Sequence, residues 1–114
     1  MTKNMMSDRR SGRERRYISR NAVTLEIEWE GSWGRRNGTV SDLTEAGCFV
    51  LSGGDVSDGE TVRLFLPLAD GMKVEFLGTI ANHVFEIGFA VLFRNLTQPQ
   101  KNIIYNLIAF PLPQ

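Results

Sequence analysis

Three arginines, Arg15, Arg16 and Arg20, stand in RRYISR immediately ahead of an alternating run of residues. A guanidinium is a planar fork that pairs bidentately with phosphate oxygens and stacks on planar rings. Several forks on one segment suit the capture of a phosphorylated ligand. The second candidate is SDLTEAGC, in which Asp42 accepts, Thr44 donates and accepts, and Gly47 admits a close backbone approach or a special backbone angle. Closing a loose segment over a ligand costs chain entropy, so the opposite wall has to be rigid and polar. A tight link between two strands meets that need. Asp and Thr also cap turns through backbone N–H groups, so a purely structural role for this link stays open.

Bond-making chemistry finds little support. His83 is the single histidine and Cys48 the single cysteine, and they are distant in the chain. A nucleophile needs a base within hydrogen-bond reach, and no local pairing supplies one. Cys48 lies in the apolar GCFV, where a thiol acts as a small hydrophobe. The carboxylates are scattered over turns and strand faces, and neither a Walker loop nor a dinucleotide fingerprint occurs. The expectation is a binding protein with no catalytic residues, no metal and no cofactor.

The chain of 114 residues suffices for one domain with a modest core. One cysteine excludes an internal disulfide and a multi-thiolate metal site. The charged N-terminus lacks a following apolar segment, so no signal peptide is expected. No run approaches the roughly 18 apolar residues of a membrane span. A reducing, cytoplasmic setting follows as the expectation. Net charge is zero overall, yet residues 1–20 hold seven basic side chains against Asp8 and Glu14, while the remainder holds six basic and eleven acidic ones. A basic arm on a slightly acidic body suits an anionic partner. A solvated leader is the alternative for Lys3 to Arg13.

Residues 1–13 are polar and aperiodic, and are expected to stay loose until something binds them. From Ala22 the period becomes two, with Val23, Leu25, Ile27 and Trp29 on one face. EGSWGRRNG reads as a loop with Asn37-Gly38 as its turn. GTVSDL, GCFVLS, TVRLFLPL, KVEFLGTIANHV and FEIGFAVLF follow as strands, the last with Ile87, Phe89, Val91 and Phe93 on one face. Pro67 sits at a strand end, where its missing N–H costs little. Six strands joined by Gly- and Asp-rich turns, without a crossover helix, predict an antiparallel sheet closed on itself. Ile103, Ile104, Leu107 and Ile108 then take helical spacing, with Asn95 to Gln98 suited to the helix start. That amphipathic helix is expected to pack on the barrel, a partner interface being the alternative.

Asp42 can accept from a guanine Watson–Crick edge or from an arginine. RRYISR before the first strand and DLTEAG between the second and third together resemble the PilZ domain family. Its members show Arg-x-x-x-Arg and, farther on, Asp/Asn-x-Ser-x-x-Gly. The resemblance maps these onto Arg16 and Arg20, and onto Asp42, Thr44 and Gly47. It covers about residues 14 to 110, including CFVLS, GFAVLF and the trailing helix.

The resemblance implies an all-β fold, a six-stranded antiparallel PilZ-like β-barrel over residues 14–114 with a C-terminal α-helix, preceded by a flexible basic arm, residues 1–13. It also implies binding of cyclic di-GMP, a bacterial second messenger. Arg16 and Arg20 would engage phosphate and guanine, Asp42, Thr44 and Gly47 would engage base and backbone groups, and Arg15 would be an auxiliary contact. Thr44 stands where the family usually has serine, keeping the hydroxyl while adding a methyl and restricting χ1. Ordering of the arm would signal to a separate, unidentified downstream protein. The arm, the EGSWGRR loop with Trp33, and the helix are the candidate contact surfaces, unless Trp33 folds back onto the barrel. Two rivals remain. A ligand-independent adaptor of the same fold would bind its partner without Arg16 and Arg20. A small nucleic-acid-binding barrel would need a continuous basic footprint, and few basic residues follow Arg36, so no nucleic-acid partner is expected.

Overall fold

The computed structural model describes residues 21–110; the arm, with Arg15, Arg16 and Arg20, lies outside them. The elements are β1 (Asn21–Gly31), β2 (Gly34–Leu43), β3 (Gly47–Leu51), β4 (Thr61–Pro67), β5 (Lys73–Val84), β6 (Gly88–Arg94) and α1 (Gln98–Ala109). The strands close into a barrel in the order β1-β2-β3-β6-β5-β4. Every neighbouring pair is antiparallel.

Alternation decides what lies inside. Leu25, Ile27 and Trp29 of β1, Val62, Leu64 and Leu66 of β4, and Phe89 and Val91 of β6 are all buried. They meet Val40, Val50, Phe76 and Ile80 in one core. Trp29 and Phe89 pack edge to face with centroids 4.8 Å apart, a favoured aromatic geometry. The indole N–H of Trp29 donates to Ser52 Oγ at 3.0 Å, so its polar atom is not stranded in the core.

Two expectations are corrected. Asn37 and Gly38 do not turn; they lie inside β2, opposite Glu28 and Ile27. The turn is Ser32–Trp33, and Gly34 at φ +104° supplies the left-handed residue that returns the chain. The longer hairpin wins because it sets Arg35 opposite Glu30 and beside Glu28, with Thr39 opposite Glu26, on the solvent face. Ile87 likewise does not extend the last strand. Phe85 to Ile87 form the β5–β6 turn, with Glu86 at φ 59°, and Ile87 is exposed.

The helix packs on the barrel. Thr97 caps it: its Oγ1 accepts from Gln100 N at 3.2 Å, while the Gln100 side chain accepts from Thr97 N at 2.8 Å. Ile104 and Leu107 enter the core, with Ile103 and Ile108 packed beside them. Gln100 Nε2 also donates to the Glu75 carbonyl on β5 at 3.0 Å. One end of the barrel therefore gathers the start of β1, the β2–β3 link, the end of β6 and α1. The other end carries the Ser32–Trp33 turn, where Trp33 is 73% exposed and does not fold back.

Candidate ligand-binding site on the outer face of the barrel

The β2–β3 link is held by its own hydroxyl. Thr44 Oγ1 accepts from the backbone N–H groups of Ala46 and Gly47 at 3.1 and 3.2 Å and faces the Gly47 carbonyl at 3.3 Å. Thr44 N donates to that same carbonyl at 2.9 Å. The carbonyl of Ala46 accepts from Phe93 N at 2.9 Å, pinning the link to the end of β6. Gly47 has a steric reason to be glycine. A Cβ there would collide with the Val91 carbonyl, because β3 and β6 run backbone against backbone at this point.

Asp42 behaves differently. It is half-buried on the outer face of β2, and its carboxylate has no hydrogen bond or ion pair among the described residues. The two readings of the DLTEAG link thus divide between its residues: Thr44 caps the turn, and Asp42 does not. Among the described residues nothing occupies this carboxylate, which by its chemistry accepts from guanidinium or amide donors.

Strand pairing brings the start of β1 to this place. Asn21 lies opposite Leu43 and Ala22 opposite Asp42. Asn21 Nδ2 donates to the Leu43 carbonyl at 3.2 Å. A cross-strand row on the outer face continues from Asp42 to Phe49 on β3 and Ala90 on β6. These side chains, with Thr44, Gly47 and Leu92, border an open cavity of about 200 Å³. Ligand pockets are commonly about 300–1,000 Å³, so this cavity by itself is smaller than a typical one. The sequence did not single out Phe49, Ala90 or Leu92. Alternation turns them outward, but only the register shows that they share a wall with Asp42.

The single cysteine and the single histidine lie in unlike surroundings, one buried and one at the surface. Burial pushes the Cys48 thiol up to about 12, so it is inert near neutrality. His83 Nδ1 pairs with Asp58 Oδ1 at 2.7 Å on the surface, on the loop side of the barrel. Among the described residues, no group of three or more His, Cys, Asp or Glu side chains could hold a metal ion. No helix among them is long and apolar enough to cross a membrane.

The PilZ domain family model matches residues 8–110, nearly the whole chain. The chain belongs to the PilZ domain family. Solved PilZ structures share its barrel at low sequence identity. The PilZ domain of CeSA from a cellulose-synthesizing bacterium superimposes with a TM-score of 0.64 at 18% identity, over 80% of this chain and 95% of that one. The PilZ domain of YcgR from Escherichia coli, solved with cyclic di-GMP, gives 0.69 at 11% identity, over 84% and 90%. PlzA of Borreliella burgdorferi, in complex with cyclic di-GMP, gives 0.65 at 9% identity, over 82% of this chain and 41% of that one. No curated protein matches the sequence. At these identities the structural likeness carries the PilZ fold alone.

Proposed function

We propose that this PilZ-domain chain is a receptor for cyclic di-GMP with no chemistry of its own. The observation that carries the reading is Asp42, a half-buried carboxylate without a partner among the described residues. It lies opposite Ala22, two residues after Arg20. Arg16 and Arg20 engage the phosphates and a guanine, with Arg15 as an auxiliary contact. Asp42 accepts from the guanine donor edge or orients an arginine, and the Thr44-clamped link, with Gly47, presents its backbone to the ligand. The added methyl of Thr44 leaves that clamp intact, since its hydroxyl already holds both N–H groups. YcgR and PlzA, each solved with cyclic di-GMP, make this the ligand to try.

In this proposal residues 1–13 form a flexible basic arm that orders as the arginines close over the ligand. The ordered arm gives a separate downstream protein, in the cytoplasm, a surface to read. The exposed Trp33 at the far end of the barrel favours a second reading, a ligand-independent adaptor, because such a residue is a common anchor in protein interfaces. Calorimetric titration of the folded protein with cyclic di-GMP, GTP and cyclic di-AMP separates the two. Selective, saturable binding of cyclic di-GMP supports the receptor; its absence moves the assignment to the adaptor.

A further inference from the structure

The outer face of β6 carries Ala90, Leu92 and Arg94 at alternate positions. Leu92 lies between Gly47 on β3 and Thr79 on β5. It borders the cavity beside Asp42, and it is 50% exposed. Gly47 brings no side chain to this row, so the Leu92 side chain is left uncovered on that side. On the other side, Arg94 Nε donates to Thr79 Oγ1 at 2.7 Å. Thr79 is the cross-strand neighbour of Leu92, not of Arg94. The bond therefore turns the Arg94 side chain back toward the cross-strand row that holds Thr79 and Leu92. Nothing else among the described residues pairs with Arg94, so its terminal nitrogens remain available.

An uncovered apolar side chain with an anchored guanidinium turned toward its row suits a planar ring with acceptors along one edge. The ring face covers the leucine and excludes water from it. The fork meets paired acceptors, as guanine offers at O6 and N7. Adenine presents a donor in place of one of them, so the same fork selects against it. We propose that the outer face of β6 belongs to the nucleotide site and continues the wall beside Asp42. Leu92 is the floor under one guanine, and Arg94 is the fork that reads its O6/N7 edge. This rests on the cyclic di-GMP reading and adds two binding residues that neither motif contains.

The test is titration of the full chain and of Leu92→Ala and Arg94→Gln with cyclic di-GMP. An analogue carrying carbon in place of guanine N7 is titrated alongside. Both side chains are at the surface, so both variants are expected to melt with the wild type. Each is expected to weaken cyclic di-GMP binding on the order of tenfold. Arg94→Gln and the wild type are expected to bind the N7-replaced analogue nearly alike. Arg35→Gln, whose guanidinium is engaged over Phe65, is the control expected to change neither affinity. Unchanged affinity in both folded variants overturns the proposal. A loss in Arg94→Gln that is equal for the two ligands overturns the fork. If the wild type itself binds no cyclic di-GMP, the receptor reading falls and this wall falls with it.

Discussion

Asn21 and Leu43 are joined twice, as opposed residues in the β1–β2 ladder and through the 3.2 Å bond from Asn21 Nδ2 to the Leu43 carbonyl. The first described residue of β1 is thereby fixed to the residue that follows Asp42. The β1–β2 hairpin thus returns Asp42 to the start of β1, opposite Ala22.

Asp42 makes the sharpest distinction between binding and folding. Its carboxylate has no partner among the described residues, so Asp42→Ala is expected to change stability by less than about 0.5 kcal/mol. Loss of a charge-assisted contact is expected to weaken cyclic di-GMP binding about tenfold or more. Chemical denaturation and calorimetry on one preparation check both halves. A large stability loss would return Asp42 to a turn-capping role.

Thr44 is expected to behave in the opposite way. Thr44→Val keeps the shape but strands the N–H groups of Ala46 and Gly47 that the hydroxyl now satisfies. A cost of about 1–2 kcal/mol is expected from urea denaturation. Thr44→Ser keeps the acceptor and is expected to stay close to wild type in both stability and affinity.

Glu60 ties two loops at the far end of the barrel. Partial burial would raise its carboxyl, but hydrogen bonds from Ser32 N, Ser57 N and Ser32 Oγ outweigh it and hold the group below its ordinary value. A group depressed in the folded state stabilises above its unfolded pKa, and the contribution disappears as pH falls through the folded pKa. Melting temperature is therefore expected to drop below about pH 4.5 more steeply for wild type than for Glu60→Gln. Parallel acid limbs for the two proteins would contradict this.

Cys48, pushed up to about 12 by burial, is expected to resist thiol reagents at pH 8 in the folded protein and to react at once after unfolding. Stoichiometric labelling under native conditions would show that β3 opens.

The barrel was legible because each strand announces its inner face by alternation, and Val62, Leu64 and Leu66 are inside as the pattern requires. The helix was legible from Ile104 and Leu107, and its start from the stretch that contains Thr97. Asn37-Gly38 misled because local turn preference is weaker than the cross-strand pairs that a longer hairpin makes. Ile87 misled for a related reason: its alternation with Phe89 continues through residues that the chain uses to reverse direction. Asp42, Thr44 and Gly47 were visible by type, but their division of labour was not. Whether a hydroxyl is spent on its own turn, and whether a glycine faces a carbonyl, depends on neighbours that only folding brings together.

The most direct measurement is the titration of wild type and Arg20→Ala with cyclic di-GMP, with folding of both confirmed by thermal melting. Arg20 immediately precedes the tethered Asn21, so its loss is expected to reduce affinity about tenfold or more while the melting temperature holds. Saturable wild-type binding that Arg20→Ala loses is the expected result. Equal affinity in the two proteins, or no binding by folded wild type, would contradict the account.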